Sequence, residues 1–173
     1  MLLGPDEPAP VRRLDPTGES PFLLTADHAG RRIPRALGDL GLDAAERARH
    51  IAWDIGIRAV TGQLAASLGA TALMQVFSRL VIDCNRRPDV ASSIPEISET
   101  TAIPGNRNLT EVQREARRNE IFDPYHAAIA TEIAARRARG QPTIYIAMHS
   151  FTPVFKGRAR PMHVAVLYNR NPS

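Results

Sequence analysis

The chain has 173 residues, 43% of them hydrophobic and 23% charged, enough for one domain with its own core. Its net charge of +4 is carried mostly by Arg interspersed with Glu and Asp, a pattern that argues against a nucleic-acid groove and suits capture of an anionic small molecule. The single cysteine, Cys84, excludes an internal disulfide framework, and no apolar run approaches the ~20 residues that span a bilayer, so no membrane partner and a cytoplasmic location are expected.

Residues 1–20 carry early Pro, Asp and Glu and no apolar h-region, so they read as a loosely ordered lead-in rather than a signal peptide. Residues 21–173 read as a single α/β domain. Phe22 to Ala26 is a short, mostly apolar run that ends in Asp27-His28-Ala29-Gly30, the grammar of a buried strand closed by a polar cluster. Asp43 to Leu68 reads as helix, with Asp43 as N-cap, Gly69 as stop, and Ile51, Ile55, Val60, Leu64 and Leu68 at helical spacing. Gly56 and Gly62 weaken its middle.

Thr71 to Val76 predicts a second strand, and Phe77 to Asp83 a third. Residues 86–107 are rich in Pro, Ser, Thr and Asn without a clear period, a connection long enough to suggest function. Thr110 with Gln113 forms a capping box opening a long helix to about Arg139, with a kink or break expected at Pro124. Thr143 to Met148 repeats the apolar strand grammar and delivers His149-Ser150. Phe151 to Pro161 is a basic loop with Lys156, Arg158 and Arg160, read as a solvated loop or as a lid over an anionic substrate. Met162 to Tyr168 alternates as a last strand. This order predicts an α/β fold with a mixed or mostly parallel sheet between helices.

Two strand-end histidines, His28 and His149, are the strongest chemical signal. In open α/β sheets the C-terminal strand ends carry ligand sites. Two His and one carboxylate form a catalytic zinc set with an open fourth position. The carboxylate is Asp54, which sits in an apolar helical stretch, or Asp27, beside His28. In the stretch from Ser78 to Arg86, Arg79 and Arg86 could grip a diacid or pair with Asp83. Cys84 reads as packing, and His50, His126 and His163 as residues outside the site.

Asp27-His28-Ala29-Gly30, Trp53-Asp54, the string from Ser78 to Arg86 and Met148-His149-Ser150 together resemble, in order and spacing, the N-formylglutamate amidohydrolase family. The resemblance runs from about Pro21 to Arg170, and the Ser-Arg-x-x-x-Asp-x-Asn-Arg string is its most specific part. The pattern is also similar to zinc amidases that cleave muramoyl peptides, which use Glu where this chain has Asp54. The resemblance implies a three-layer α/β/α sandwich of the phosphorylase/hydrolase-like type. It implies zinc held by His28, Asp54 and His149, and substrate carboxylates held by Arg79, Asn85 and Arg86. The implied reaction is hydrolysis of an acidic N-acyl amino acid, N-formyl-glutamate being the reference substrate. Family members use a later Glu as general base. No Glu follows Glu132 here, so the chain is read as a truncated piece, as a shortened homologue that binds metal and carboxylate but hydrolyses poorly, or as taking its base from elsewhere, with Glu96 and Glu99 as candidates. Asp27 or Ser150 is expected to orient the histidines. A small acidic substrate is the expected partner, and self-association is left open.

Overall fold

The structure, a computed structural model, describes residues 1–15, 18–155 and 157–168. Four strands form its main sheet: β1 (Val11–Leu14), β2 (Phe22–Ala26), β3 (Thr71–Gln75) and β6 (Ile144–Ala147), in the order β1-β3-β2-β6. β2 runs parallel to both β3 and β6, and β1 runs antiparallel to β3 along the edge. Two small hairpins lie outside it, β4 (Ile97–Ser98) with β5 (Thr101–Ala102), and β7 (Val154–Phe155) with β8 (Arg158–Ala159). The helices are α1 (Ala44–Ala48), α2 (Ile57–Leu68), α3 (Glu111–Arg117) and α4 (Asp123–Ala138).

The mixed, mostly parallel sheet lies between helices, as expected. Alternation along β2 decides the layers: Leu24 packs with Ala65 of α2 on one face, and Leu23 with Tyr125 and Ile129 of α4 on the other. α2 buries Ile57, Thr61 and Ala65, leaving Val60 and Leu68 exposed, as is Ile55 just before it. Of the apolar spacing read from the sequence, Ile51 and Leu64 face the core while Ile55, Val60 and Leu68 do not. The small Thr61 and Ala65 let this helix approach the sheet, with Ile57 packed at its start.

The lead-in expected at residues 1–20 is corrected. Val11–Leu14 completes the sheet, and Leu2 is buried in the core with its N–H on Glu120. The helix expected from Asp43 to Leu68 is two helices parted at residues 49–56. Asp43 caps α1 through Glu46 N–H, and Gly69 ends α2 in the left-handed region. Residues 77–83 form tight turns in place of a strand. Val81 N–H donates to Ser78 O and Asp83 N–H to Ser93 O, bonds that close the chain on itself. No break occurs at Pro124. A π-helical turn, Arg118–Phe122, joins α3 to α4, and the capping box at Thr110 opens α3 as expected. Residues 162–168 are irregular and exposed rather than a strand. Lys156 and residues 169–173 lie outside the described residues.

Buried arginines hold the layers together. Arg117 donates to Val81 O, Gly105 O and Asn106 Oδ1, and Asn106 donates to Leu80 O and Pro95 O. The long connection at residues 86–107 is pinned through these bonds. Burial lowers the Arg117 pKa to about 10. Arg136, fully buried, donates to Glu132, to Ser20 O and Phe22 O, and to Thr71 Oγ1. It therefore fixes α4 to the starts of β2 and β3. Arg136→Met should cost about 3–5 kcal/mol, because buried acceptors lose their donors together. Urea unfolding measures this; a loss under about 1 kcal/mol would remove Arg136 as the clamp.

Candidate metal centre

Register sets the site. β2 and β6 pair in parallel from Phe22↔Ile144 to Thr25↔Ala147, and Met148 N–H extends the ladder to Thr25 O at 2.7 Å. Both chains then leave the sheet at the same end, placing His28 and His149 side by side with ring centroids 5.0 Å apart. Asp54 arrives from the segment between α1 and α2, its N–H on His28 O at 2.9 Å. One donor atom from each of His28, Asp54 and His149 lies within 4.8 Å of the other two.

The two imidazoles are held in parallel ways. His28 Nε2 is 2.7 Å from Asp83 Oδ1, and its Nδ1 is 3.5 Å from Asp54 Oδ1. His149 Nδ1 is 3.0 Å from Asp54 Oδ2, and its Nε2 is 3.6 Å from Asp27 Oδ2. Tyr125 OH donates to Asp27 Oδ1 at 2.7 Å, and Ser150 N–H donates to Asp54 Oδ2 at 3.2 Å. Each ring thus turns Nδ1 toward Asp54 and Nε2 toward a second carboxylate. In metal sites that outer carboxylate fixes the tautomer and the ring orientation.

His28 Nδ1 is buried and has no hydrogen-bond partner. A buried polar atom left unpaired is costly unless something else satisfies it. A buried, unpartnered ring nitrogen facing Asp54 and beside His149 is a position that a divalent cation satisfies, so the residues fit a metal. Two imidazoles and a carboxylate suit zinc.

Electrostatics agree with this arrangement. Burial opposes the charged form of Asp54, but His149 and His28 outweigh it and hold the carboxyl well below its usual range. Asp83 is likewise opposed by burial yet lowered to about 2 by His28 and Arg79. Burial lowers the His28 pKa, but the Asp54 and Asp83 carboxylates outweigh it and raise it overall. Asp27 and Asp54 push His149 up to about 9.

Arg79 stands at the rim. Its Nη2 donates to Asp83 Oδ2 at 2.6 Å, and its Nη1 is 3.6 Å from Asp54 Oδ1. The internal pairing weighed for this string is therefore the one formed, and it ties Arg79 to the site. Asn85 N–H donates to Asp83 Oδ1, and Asn85 is exposed. Arg86 is exposed, with no ion-pair partner among the described residues. Glu99, in the left-handed region at φ 54°, places its carboxylate against Arg49 and His50. Glu96 makes no hydrogen bond to the triad among the described residues. His126 Nε2 binds Cys84 O, while Gln75 Nε2 meets the buried Cys84 thiol, whose pKa burial pushes up to about 12. Asp83 as the partner of His28 was missed from the sequence. Its signal, an Asp four residues after Arg79, pointed only to the arginine.

The profile of the N-formylglutamate amidohydrolase family matches residues 20–172. The chain belongs to that family. Its fold is similar to a crystallised gene product of Agrobacterium tumefaciens, with 39% identity and a TM-score of 0.89, over 92% of this chain and 64% of that one. It is also similar to the N-formylglutamate amidohydrolase of Ralstonia eutropha, with 26% identity and a TM-score of 0.63, over 83% of this chain and 57% of that one. The chain therefore spans less than two thirds of either solved relative. No curated protein matches it. Among the described residues, no helix is long and apolar enough to cross a membrane.

Proposed function

We propose that this amidohydrolase-family chain binds one zinc ion through His28, Asp54 and His149 and hydrolyses the amide of an acidic N-acyl amino acid of the N-formyl-L-glutamate type, releasing formate and glutamate. The observation that carries the reading is the unpartnered, buried Nδ1 of His28 beside Asp54 and His149. Zinc, when bound there, supplies Lewis acidity and lowers the pKa of a bound water toward about 7.

The chain's own groups do the rest. Asp83 keeps a proton on His28 Nε2 and so presents Nδ1 as a lone pair, while Asp27 does the same for His149. Arg79 neutralises Asp83 and stays partly open to the site. Arg86, exposed and without an ion-pair partner among the described residues, takes a substrate carboxylate, and the neighbouring Asn85 adds a neutral polar contact. Holding the acidic end there positions the scissile amide over the triad. Arg86→Ala should raise KM for N-formyl-L-glutamate about tenfold, with KM for a neutral N-formyl amino acid unchanged. Equal effects on both substrates would reject carboxylate recognition at Arg86.

Metal uptake should depend on pH with a definite sign. His149 titrates near 9 in the metal-free protein, against an ordinary 6.5. Its ion pairs therefore stabilise the metal-free fold fully below pH 6.5, and this stabilisation is lost as pH rises through about 9. Metal needs the neutral ring, so zinc affinity should rise over the same window, by about tenfold per pH unit, with a proton released per ion. Calorimetric titrations in buffers of different ionisation enthalpy measure both; a pH-independent affinity would contradict it.

A second reading has one observation behind it. Asp27, Asp54 and Asp83 are each already paired, so none is a free general base in this arrangement. A protein that binds zinc but hydrolyses poorly would take up the ion and release no formate. Formate release from N-formyl-L-glutamate by the zinc-loaded protein separates the two readings.

A further inference from the structure

A cavity of about 850 Å³ opens at the ends of β2 and β3, bordered by Ala29 and Trp53, the chain neighbours of His28 and Asp54. Its floor is the backbone where Ala29–Gly30 passes against Gln75–Val76, so close that a Cβ at Gly30 would lie 2.0 Å from Val76 O. Five arginines, Arg12, Arg31, Arg32, Arg47 and Arg58, line it with Trp53, all but Arg47 exposed to solvent, and no aspartate or glutamate does. None of His28, Asp54, His149, Arg79 or Arg86 lines it.

The arginines come from four separate parts of the fold: β1, the loop after β2, α1, and the first turn of α2. Arg12, Arg32 and Arg58 have no ion-pair or side-chain hydrogen-bond partner among the described residues. Arg47 reaches only the carbonyl of Asp43. Arg31 lies over the Trp53 ring at 5.4 Å, and that ring is fixed by its Nε1 donating to Ala48 O. Elsewhere on this chain, arginines commonly meet a carboxylate, as Arg13, Arg49, Arg87 and Arg136 do. Five like charges around one concavity repel each other, and a multiply charged anion relieves that repulsion. The first turn of α2 points the same way: it holds Arg58 and no acidic residue, although a helix start favours negative charge.

We infer that this cavity is a second ligand site, separate from the metal centre, that binds a compact phosphate-bearing polyanion. Phosphate fits better than a carboxylate because five arginines border one cavity with no acidic residue among its lining, a charge that a diphosphate meets and a single carboxylate does not. The volume falls within the range of small-molecule sites. The inference does not rest on the proposed hydrolysis, since it uses none of the residues assigned to it.

Calorimetric titration with inorganic pyrophosphate tests it on the full chain. The Arg12→Ala/Arg58→Ala double variant should bind about tenfold more weakly or worse. Arg107→Ala/Arg137→Ala removes the same charge from exposed positions elsewhere and should stay within about twofold of the parent. His149→Ala should keep its pyrophosphate affinity, which excludes capture by the metal. Undetectable binding by the parent, equal affinity in Arg12→Ala/Arg58→Ala, or lost affinity in His149→Ala would each overturn the site. Citrate binding as tightly as pyrophosphate would overturn the phosphate assignment, and displacement of pyrophosphate by N-formyl-L-glutamate would overturn the separation from the metal centre.

Discussion

Replacing His28 with alanine should abolish stoichiometric zinc binding, lowering affinity by about a thousandfold or more, and take hydrolysis with it. The ring supplies a buried nitrogen that the protein leaves without a hydrogen-bond partner, beside Asp54 and His149, so its loss removes one of the three donors. The fold should survive, because Asp83 keeps Arg79 at 2.6 Å when the imidazole is gone. Circular dichroism and urea unfolding would confirm that survival, and elemental analysis of the purified variant would read the metal. His149→Ala should behave the same way with a smaller structural cost, since that ring is partly exposed. Unchanged zinc in both variants would remove the histidines as ligands.

Gly30→Ala should be the most damaging single substitution to folding. The added methyl would lie 2.0 Å from Val76 O, 2.1 Å from Val76 C and 2.7 Å from Gln75 O. All three are backbone atoms, and the strand end they belong to is fixed by Gln75 Oε1 accepting from the Val76 and Phe77 N–H groups. Neither side can yield without unpairing the end of β3, beside which Ser78 N–H donates to Arg32 O at 2.7 Å. A loss of about 4–5 kcal/mol is expected, enough to abolish soluble protein. Gly62→Ala is the contrasting case. It lies within α2, and its new Cβ would meet only Leu14 Cδ1 at 3.9 Å. That change should stabilise by about 0.5–1 kcal/mol. Thermal unfolding of the pair measures both, and a Gly30→Ala protein as stable as the parent would refute the close approach.

These two glycines show where the sequence was readable and where it was not. A strand-end motif such as Asp27-His28-Ala29-Gly30 is local, so its strand, its polar cap and its histidine could be read from order alone. The same holds for Asp43 and Thr110, whose capping bonds close within three residues. The partners of those residues are long-range. Asp83 meets His28 across 55 positions and Tyr125 meets Asp27 across 98, distances at which spacing carries no signal. The turns at residues 77–83 illustrate a second limit. Leu80, Val81 and Ile82 are apolar because they fill the core beneath the 86–107 connection, not because they pair in a sheet. Burial without a ladder looks the same in sequence as a buried strand. β1 failed for the opposite reason: Arg12 and Arg13 alternate with nothing strongly apolar, yet the edge of a sheet requires only backbone pairing on one side.

X-ray absorption at the zinc edge of the metal-loaded protein tests the central claim most directly. Two imidazole rings with oxygen donors completing the shell, and loss of one imidazole in each histidine variant, are the predicted result. A sulfur scatterer from Cys84, or a shell of oxygens alone, would contradict it.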